Sequence, residues 1–449
     1  MALSPMMQQY LRIKEQYPDT ILFFRLGDFY EMFFDDAKLV SQELELTLTG
    51  KECGLSERAP MCGVPYHAVE TYLQKLIEKG HKVAICEQMT DPALAKGLVE
   101  REVIRVVTPG TVIESNLLED RRPNYIVSIC LRRSLAGCAL CDVSTGEFYL
   151  YQIPDARVSL ADELARIAPS EIIVNDVEAF GLLVPEMKRI AGAADEESFR
   201  HAAAAKCMKA HFGQTVEEMG FGEERAAVDA AGALLKYLTD TQKNALKHIV
   251  SAKSYDAQRY MALDRVALRN LELTETNRGR SRRGSLLGIL DRTRTSMGSR
   301  LLRSWIERPL LDKSAINRRL DAVEGFLTNP MAADALREQL EGVYDVERLL
   351  SRIAYDAVNA RDCLALCATL EAVPRIKAMA GEFSAPLIAE TMAALDPMED
   401  LTATLRSAIS PDAPLSVREG GMIAQGYNAE LDELRDVSAN GKSYLAAME

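Results

Sequence analysis

Apolar residues recur along this chain with two different spacings, and the change between them divides it. In the first hundred or so positions the runs are short. Residues 21–25 (Ile-Leu-Phe-Phe-Arg) read as a strand, Gly27-Asp28 as a turn, and residues 29–34 as a second, aromatic strand. Asp35-Asp36 put negative charge where a helix N-terminus favours it, opening a helix through Ala37, Leu39, Val40 and Leu44. A loop containing Pro60, Gly63 and Pro65 leads to a helix over about residues 68–78, which Gly80 stops. Residues 81–87 and 103–107 complete the pattern as strands, closed by Thr108-Pro109-Gly110. These elements predict an α+β domain with a mixed sheet over residues 1–114.

Residues 115–123 (Ser-Asn-Leu-Leu-Glu-Asp-Arg-Arg-Pro) read as a linker. Three strand patterns follow at 125–131, 138–143 and 147–153, then a helix at 160–167 and a strand at 172–174. Successive strands followed by a crossover helix predict a compact α/β domain with a mixed sheet over 124–224. From about residue 225 the spacing becomes helical: Val228, Ala231, Leu235 and Leu238 share one face, as do Leu301, Leu302, Trp305 and Ile306. The reading is therefore an all-α domain over 225–428 and the start of a further helix over 429–449. The sequence stops inside that helical run, which predicts a piece of a longer protein.

Composition narrows the class. With 449 residues, about three domains are expected at roughly 150 residues each. Hydrophobic content of 48% and charged content of 27% exclude a mostly disordered chain. No run approaches the roughly 20 uncharged apolar residues of a membrane helix, and the first residues lack the pattern of a secretory signal. Nine irregularly spaced cysteines fit reduced thiols of a cytoplasmic protein better than a disulfide framework. A net charge of −13 argues against indiscriminate coating of nucleic acid, although a local basic track remains compatible with it.

Candidate chemistry follows from residue types. In an extended strand Phe29 and Glu31 point the same way. A ring beside a carboxylate suits a nucleobase, because the ring can stack on its face while the carboxylate meets an edge nitrogen. The alternative is a core phenylalanine and a solvated glutamate. Arg278, Arg280, Arg282 and Arg283, with five more arginines between 292 and 308, face only Asp291 and Glu307. That is a local excess of seven positive charges, suited to phosphates or to acids elsewhere in the fold. Cys138-Ala139-Leu140-Cys141 lies in a strand pattern, where thiols three apart face opposite sides and cannot converge on a metal. The five histidines form no ligand set. Asp142 lacks the partner carboxylates of a nuclease with two metals. Gly441-Lys442-Ser443 follows an acidic helix, with Asp436 where a phosphate-binding loop needs glycine, so no Walker A loop is present.

Gly27-Asp28-Phe29-Tyr30-Glu31 resembles the mismatch-recognition motif of the MutS family of DNA mismatch repair proteins. Further blocks resemble the family in the expected order: Pro60-Met61-Cys62-Gly63-Val64-Pro65-Tyr66-His67, Ala84-Ile85-Cys86-Glu87-Gln88, Val107-Thr108-Pro109-Gly110-Thr111, Met297-Gly298-Ser299-Arg300 and Gly426-Tyr427-Asn428-Ala429-Glu430. The resemblance spans the whole chain. It implies a mismatch-binding domain, a connector with a ribonuclease H-like fold, a helical core of levers, and the beginning of a DNA clamp. It further implies that Phe29 wedges against a mispaired or unpaired base, that Glu31 hydrogen-bonds that base, and that Lys51 and Arg101 contact the DNA backbone. Some of the 278–308 arginines would also reach phosphates. By the same resemblance no catalytic site or cofactor is expected in this chain. ATP and Mg would belong to an ATPase domain absent here. MutL and a homodimer would belong to the full-length protein, with this piece expected to be monomeric.

Overall fold

The computed structural model describes residues 3–54, 57–90, 98–243 and 246–441. It divides into two units, one formed by residues 1–258 and 262–286, the other by 259–261 and 287–449.

The first unit opens with helix α1 (Pro5–Gln16), whose first turn holds Pro5 and is capped by the Ser4 hydroxyl accepting from the Met7 N–H. Strands β1 (Ile21–Leu26) and β2 (Phe29–Phe33) form an antiparallel hairpin, and helix α2 (Phe34–Leu44) follows directly. The segment expected to be a loop around Pro60 and Gly63 is instead strand β4 (Ala59–Pro65), paired with short β3 (Thr49–Lys51) and with β2. Each proline removes only its own N–H, while the pairing buries Cys62 and Val64, so sheet formation overrides the turn composition. Helix α3 (Val69–Glu78), β5 (Val83–Gln88) and β6 (Arg101–Val107) complete the sheet in the order β3-β4-β2-β1-β5-β6.

Strand alternation gives this sheet two cores. Ile21, Phe23, Tyr30 and Met32 pack with Ala37 and Val40 of α2 and with Leu73 and Leu76 of α3. On the other face Leu22, Phe24 and Phe33 pack with Met7, Tyr10 and Ile13 of α1.

A second mixed sheet has the order β11-β10-β7-β8-β9-β12. Strands β7 (Ile126–Arg132), β8 (Leu135–Asp142) and β9 (Glu147–Ile153) run antiparallel to one another. Strand β10 (Glu171–Val174) is parallel to β7, and β11 (Ala191–Ala193) to β10. Helices α4 (Ala156–Ile167), α5 (Val177–Leu183) and α6 (His201–Phe212) intervene. Helix α7 (Arg225–Gln242), expected to open the helical core, instead packs on β7, β8 and β9, and β12 (Lys253–Ser254) pairs with β9. Its nearly continuous burial, from Ala226 to Leu235, explains why helical periodicity alone misplaced it. The same unit ends with short helix α8 (Arg265–Asn270) and the loop after it.

Glu171 ties the two sheets together. Its buried carboxylate accepts hydrogen bonds from the Gly110 N–H (3.2 Å), the Tyr237 hydroxyl (2.6 Å) and the Thr108 hydroxyl, with the Lys82 ammonium at 3.0 Å. A buried carboxylate with this many donors is compensated for leaving water.

Seven of the nine thiols are buried. Burial pushes Cys62 and Cys130 up to about 11 and Cys86 up to about 12, against an ordinary value of 9.0. The unfolded chain therefore ionises these thiols before the folded protein does. Their contribution to stability is complete below pH 9 and is lost as the pH climbs through the folded values. Thermal melts followed by circular dichroism should show a level Tm from about pH 7 to 8 and a falling one above about pH 9. A Tm level to about pH 11 would mean that the thiols are accessible.

The second unit is helical, as expected. After α9 (Leu286–Leu290), helices α10 (Ser296–Glu307), α11 (Lys313–Thr328), α12 (Pro330–Leu340), α13 (Val346–Ala354), α14 (Ala360–Ala380), α15 (Pro386–Ala394), α16 (Glu399–Ala408) and α17 (Ala429–Ala439) follow. One core gathers Phe326, Phe383 and Ile388 around Ala322 and Ala332, and a second gathers Leu349, Leu366 and Leu370. Arg300 makes a bidentate pair with Asp345 (2.6 and 2.8 Å) and reaches Glu347 at 2.6 Å. Arg303 pairs with Glu307 and Arg294 with Glu341. These cluster arginines brace helices. Lys442 and Ser443 lie outside the described residues, as does the rest of the helical run to 449.

Candidate nucleic-acid interface

The hairpin turn between β1 and β2 is pinned from below. Gly27 adopts φ +59°, a conformation that favours glycine, and the Asp28 carbonyl accepts from the Tyr66 N–H at 2.9 Å. Arg25 donates through Nε to the Gly27 carbonyl at 2.5 Å, and its guanidinium lies 3.8 Å from the centroid of the Tyr66 ring. Glu87 accepts from Arg25 at 3.4 Å and also from the Tyr30 hydroxyl. Burial, then the hydrogen bond to Glu87, raises the Tyr30 phenol above its ordinary value, so Tyr30 remains a donor.

Phe29 is the first residue after this braced turn, and the residue is 46% exposed. Phe33, on the same strand face, is fully buried, with its ring 4.9 Å from that of Tyr10. Helix α1 thus covers one end of the β2 face and leaves the other bare. Between the two aromatic residues stands Glu31, paired across the sheet with Gly63 of β4. A Cβ added at Gly63 would lie 3.6 Å from Glu31 Cγ, 3.8 Å from the Phe29 ring and 3.3 Å from the Tyr30 carbonyl oxygen. The glycine therefore keeps the strip beside Phe29 and Glu31 to bare backbone.

Lys51 reaches over β4 from β3, bringing its ammonium to 2.6 Å from Glu31 Oε2 and 5.7 Å from the Phe33 ring. Phe29, Glu31 and Lys51 thus form one continuous feature. Arg101 does not join it. Its guanidinium is turned inward, donating to the Arg25 carbonyl (2.7 Å), Gln9 Oε1 (3.1 Å) and the Val99 carbonyl (2.8 Å), and it stacks 5.1 Å from the Phe24 ring. Burial lowers its pKa from the ordinary value. With only 7% of the residue exposed, it braces the hairpin from within, in place of the backbone contact expected for it.

Arg278, Arg280, Arg282 and Arg283 lie on a separate loop. Gly279 (φ +82°), Arg280 (φ +45°) and Gly284 (φ +99°) turn it, and Thr276 and Glu272 hydrogen-bond across its base. Arg278, Arg280 and Arg283 are exposed and Arg282 is half-buried.

Asp142 is fully buried, accepting from the Ser144 N–H and hydroxyl (2.9 and 2.7 Å) and the Asn124 N–H (2.9 Å), which makes it a turn staple. Among the described residues no group of three or more potential ligands could hold a metal ion.

Sequence reasoning missed Arg25, Gly63 and the Lys51–Glu31 pair. An arginine ending an otherwise apolar strand was the one available signal for the first. The pair joins residues 20 apart through a strand that the sequence had disguised as a loop.

Three family models match in succession: MutS domain I over residues 4–116, MutS domain II over 124–250 and MutS domain III over 266–449. This chain belongs to the MutS family. Among curated relatives, the DNA mismatch repair protein MutS of Ruminiclostridium cellulolyticum is 48% identical over the whole chain and 52% of its own length. That of Acetivibrio thermocellus is 46% identical over the same shares, and that of Lachnoclostridium phytofermentans 44% over the whole chain and 48% of its own length. The chain spans about half the length of these MutS relatives. The exposed Phe29, and Glu31 two residues further on the same strand, lie within MutS domain I.

Proposed function

We propose that this chain binds mispaired or unpaired bases in double-stranded DNA, the recognition step of mismatch repair. Phe29 is the wedge that stacks on the defective base, Glu31 accepts a hydrogen bond from its edge, and Lys51 serves the phosphate backbone. The observation that carries this reading is the exposed Phe29 ring on a braced turn, sharing a strand face with Glu31 inside a MutS domain I. The physics favours defective sites. A mismatch is already poorly stacked, so prying it open costs less than opening a paired step, and an inserted wedge kinks the duplex by way of the minor groove.

Arg278, Arg280, Arg282 and Arg283 are kept as a second phosphate-contacting candidate, supported by their loop exposure. The domain limits 1–114, 124–224, 225–428 and 429–449, joined by a linker at 115–123, belong to the same reading, with α7 and β12 moved to the second domain. That domain is read as ribonuclease H-like. Its support is the run of three antiparallel strands continued on the β7 side by two parallel ones. The rest of the family's length would add ATP- and Mg-dependent clamp sliding, a homodimer and MutL as partner, in a bacterial cytoplasm.

Fluorescence anisotropy with short duplexes tests the core of this proposal. Binding should be tighter to a duplex carrying one unpaired thymidine than to its fully paired counterpart, and it should weaken steeply with salt. Equal affinity for the two duplexes would overturn it.

A further inference from the structure

We infer that Lys51 sets the selectivity of Glu31 by exchanging partners: it holds the carboxylate in the free protein and passes to a DNA phosphate when a base edge takes its place. The inference rests on the reading of Glu31 as the base contact. Its observations are the 2.6 Å ion pair, the limited exposure of both side chains (33% for Lys51, 16% for Glu31), and the bare backbone of Gly63 opposite Glu31. Glu31 is thus already occupied on the surface that Phe29 marks for DNA.

A carboxylate facing a polyanion is repelled, and a like charge left uncompensated at an interface weakens association. The ammonium of Lys51 cancels that charge during approach. On a paired duplex no base edge reaches Glu31, so Lys51 stays with the carboxylate and gains no phosphate. On a defective duplex the base stacked on Phe29 offers an edge N–H to Glu31. The lysine is then released within reach of the backbone, where it displaces a condensed counterion. Lys51 therefore adds affinity chiefly on mismatched DNA, through Glu31. A fixed phosphate contact would strengthen both duplexes alike.

A double-mutant cycle reads this coupling directly. Wild type, Lys51→Met, Glu31→Gln and the double variant are each titrated against the paired and the thymidine-bulged duplex. Lys51→Met alone should weaken binding to the paired duplex about twofold, because it bares the Glu31 carboxylate, and binding to the bulged one roughly tenfold, because the phosphate contact is lost there. Glu31→Gln should tighten binding to the paired duplex by a similar factor, because it frees Lys51, and adding Lys51→Met should remove that gain. Lys51→Arg should restore bulged-duplex binding, which distinguishes exchange from a packing role, and urea midpoints for all variants report any unfolding. Equal loss on both duplexes, the same in either Glu31 background, would overturn the exchange while leaving the wedge reading intact. If wild type fails to discriminate the duplexes at all, the wedge reading and the exchange fall together.

Discussion

Phe29→Ala should bind mismatched and matched duplexes with the same affinity. The ring is a large apolar group on the open end of the β2 face, and its mounting is independent of it. The Gly27 turn is held by Arg25 and Tyr66, and the strand by pairing to β1 and β4. Removing an exposed side chain there creates no cavity, so the fold should survive within about 0.5 kcal/mol. What is lost is stacking on the defective base, about 1–3 kcal/mol, or roughly five- to 150-fold in affinity for that duplex. Residual binding to both duplexes should be weak and salt-sensitive, since cations supply it. Competition between labelled bulged duplex and unlabelled paired duplex measures the ratio. A variant that keeps the parent's ratio would reassign Phe29 to an incidental surface position.

The largest expected effect on stability is elsewhere, at Gly137→Ala. A Cβ there would stand 1.8 Å from the Ala226 carbonyl oxygen, 2.1 Å from its carbon and 2.7 Å from the Ala227 nitrogen. These are backbone atoms of α7, so no rotamer change relieves the clash. The helix must lift from β8 and loosen the burial of Val228, Ala231, Leu235 and Leu238. Overpacking that side chains can absorb costs about 1–3 kcal/mol, and a backbone clash of this depth should cost about 4 kcal/mol or more. Against a typical stability of about 5–15 kcal/mol, that places the variant near unfolding. Urea titration measures the loss. Gly192→Ala is the control, because no atom lies within 4 Å of its added Cβ and its cost should stay within about 1 kcal/mol. An unchanged midpoint for Gly137→Ala would show that α7 does not seat on β8.

Legibility varied with how local the governing physics was. The β1–β2 hairpin, α2, α3 and the three successive strands β7, β8 and β9 were readable as elements, because turn residues and alternation act over a few positions. Strand β4 was misread as a loop, since Pro60, Gly63 and Pro65 carry turn chemistry and its strand character comes only from partners on both sides. Helix α7 was readable as a helix but assigned to the wrong neighbours, because a helix buried on nearly all sides has no polar stripe to show which surface it meets. Arg101 was expected at the DNA, yet acceptors from Gln9, Arg25 and Val99, as far as 92 positions away, turn it inward.

At the candidate interface itself, the amino-acid order alone determined that Phe29, Glu31 and Phe33 share one strand face, because the side-chain period of an extended chain is two. Only the folded arrangement decided their different fates. Tyr10 of α1 covers Phe33 and stops short of Phe29, and Lys51 arrives at Glu31 over a strand whose Gly63 offers no side chain. Those outcomes depend on which surfaces distant segments bury, a choice made by packing among elements far apart in the chain.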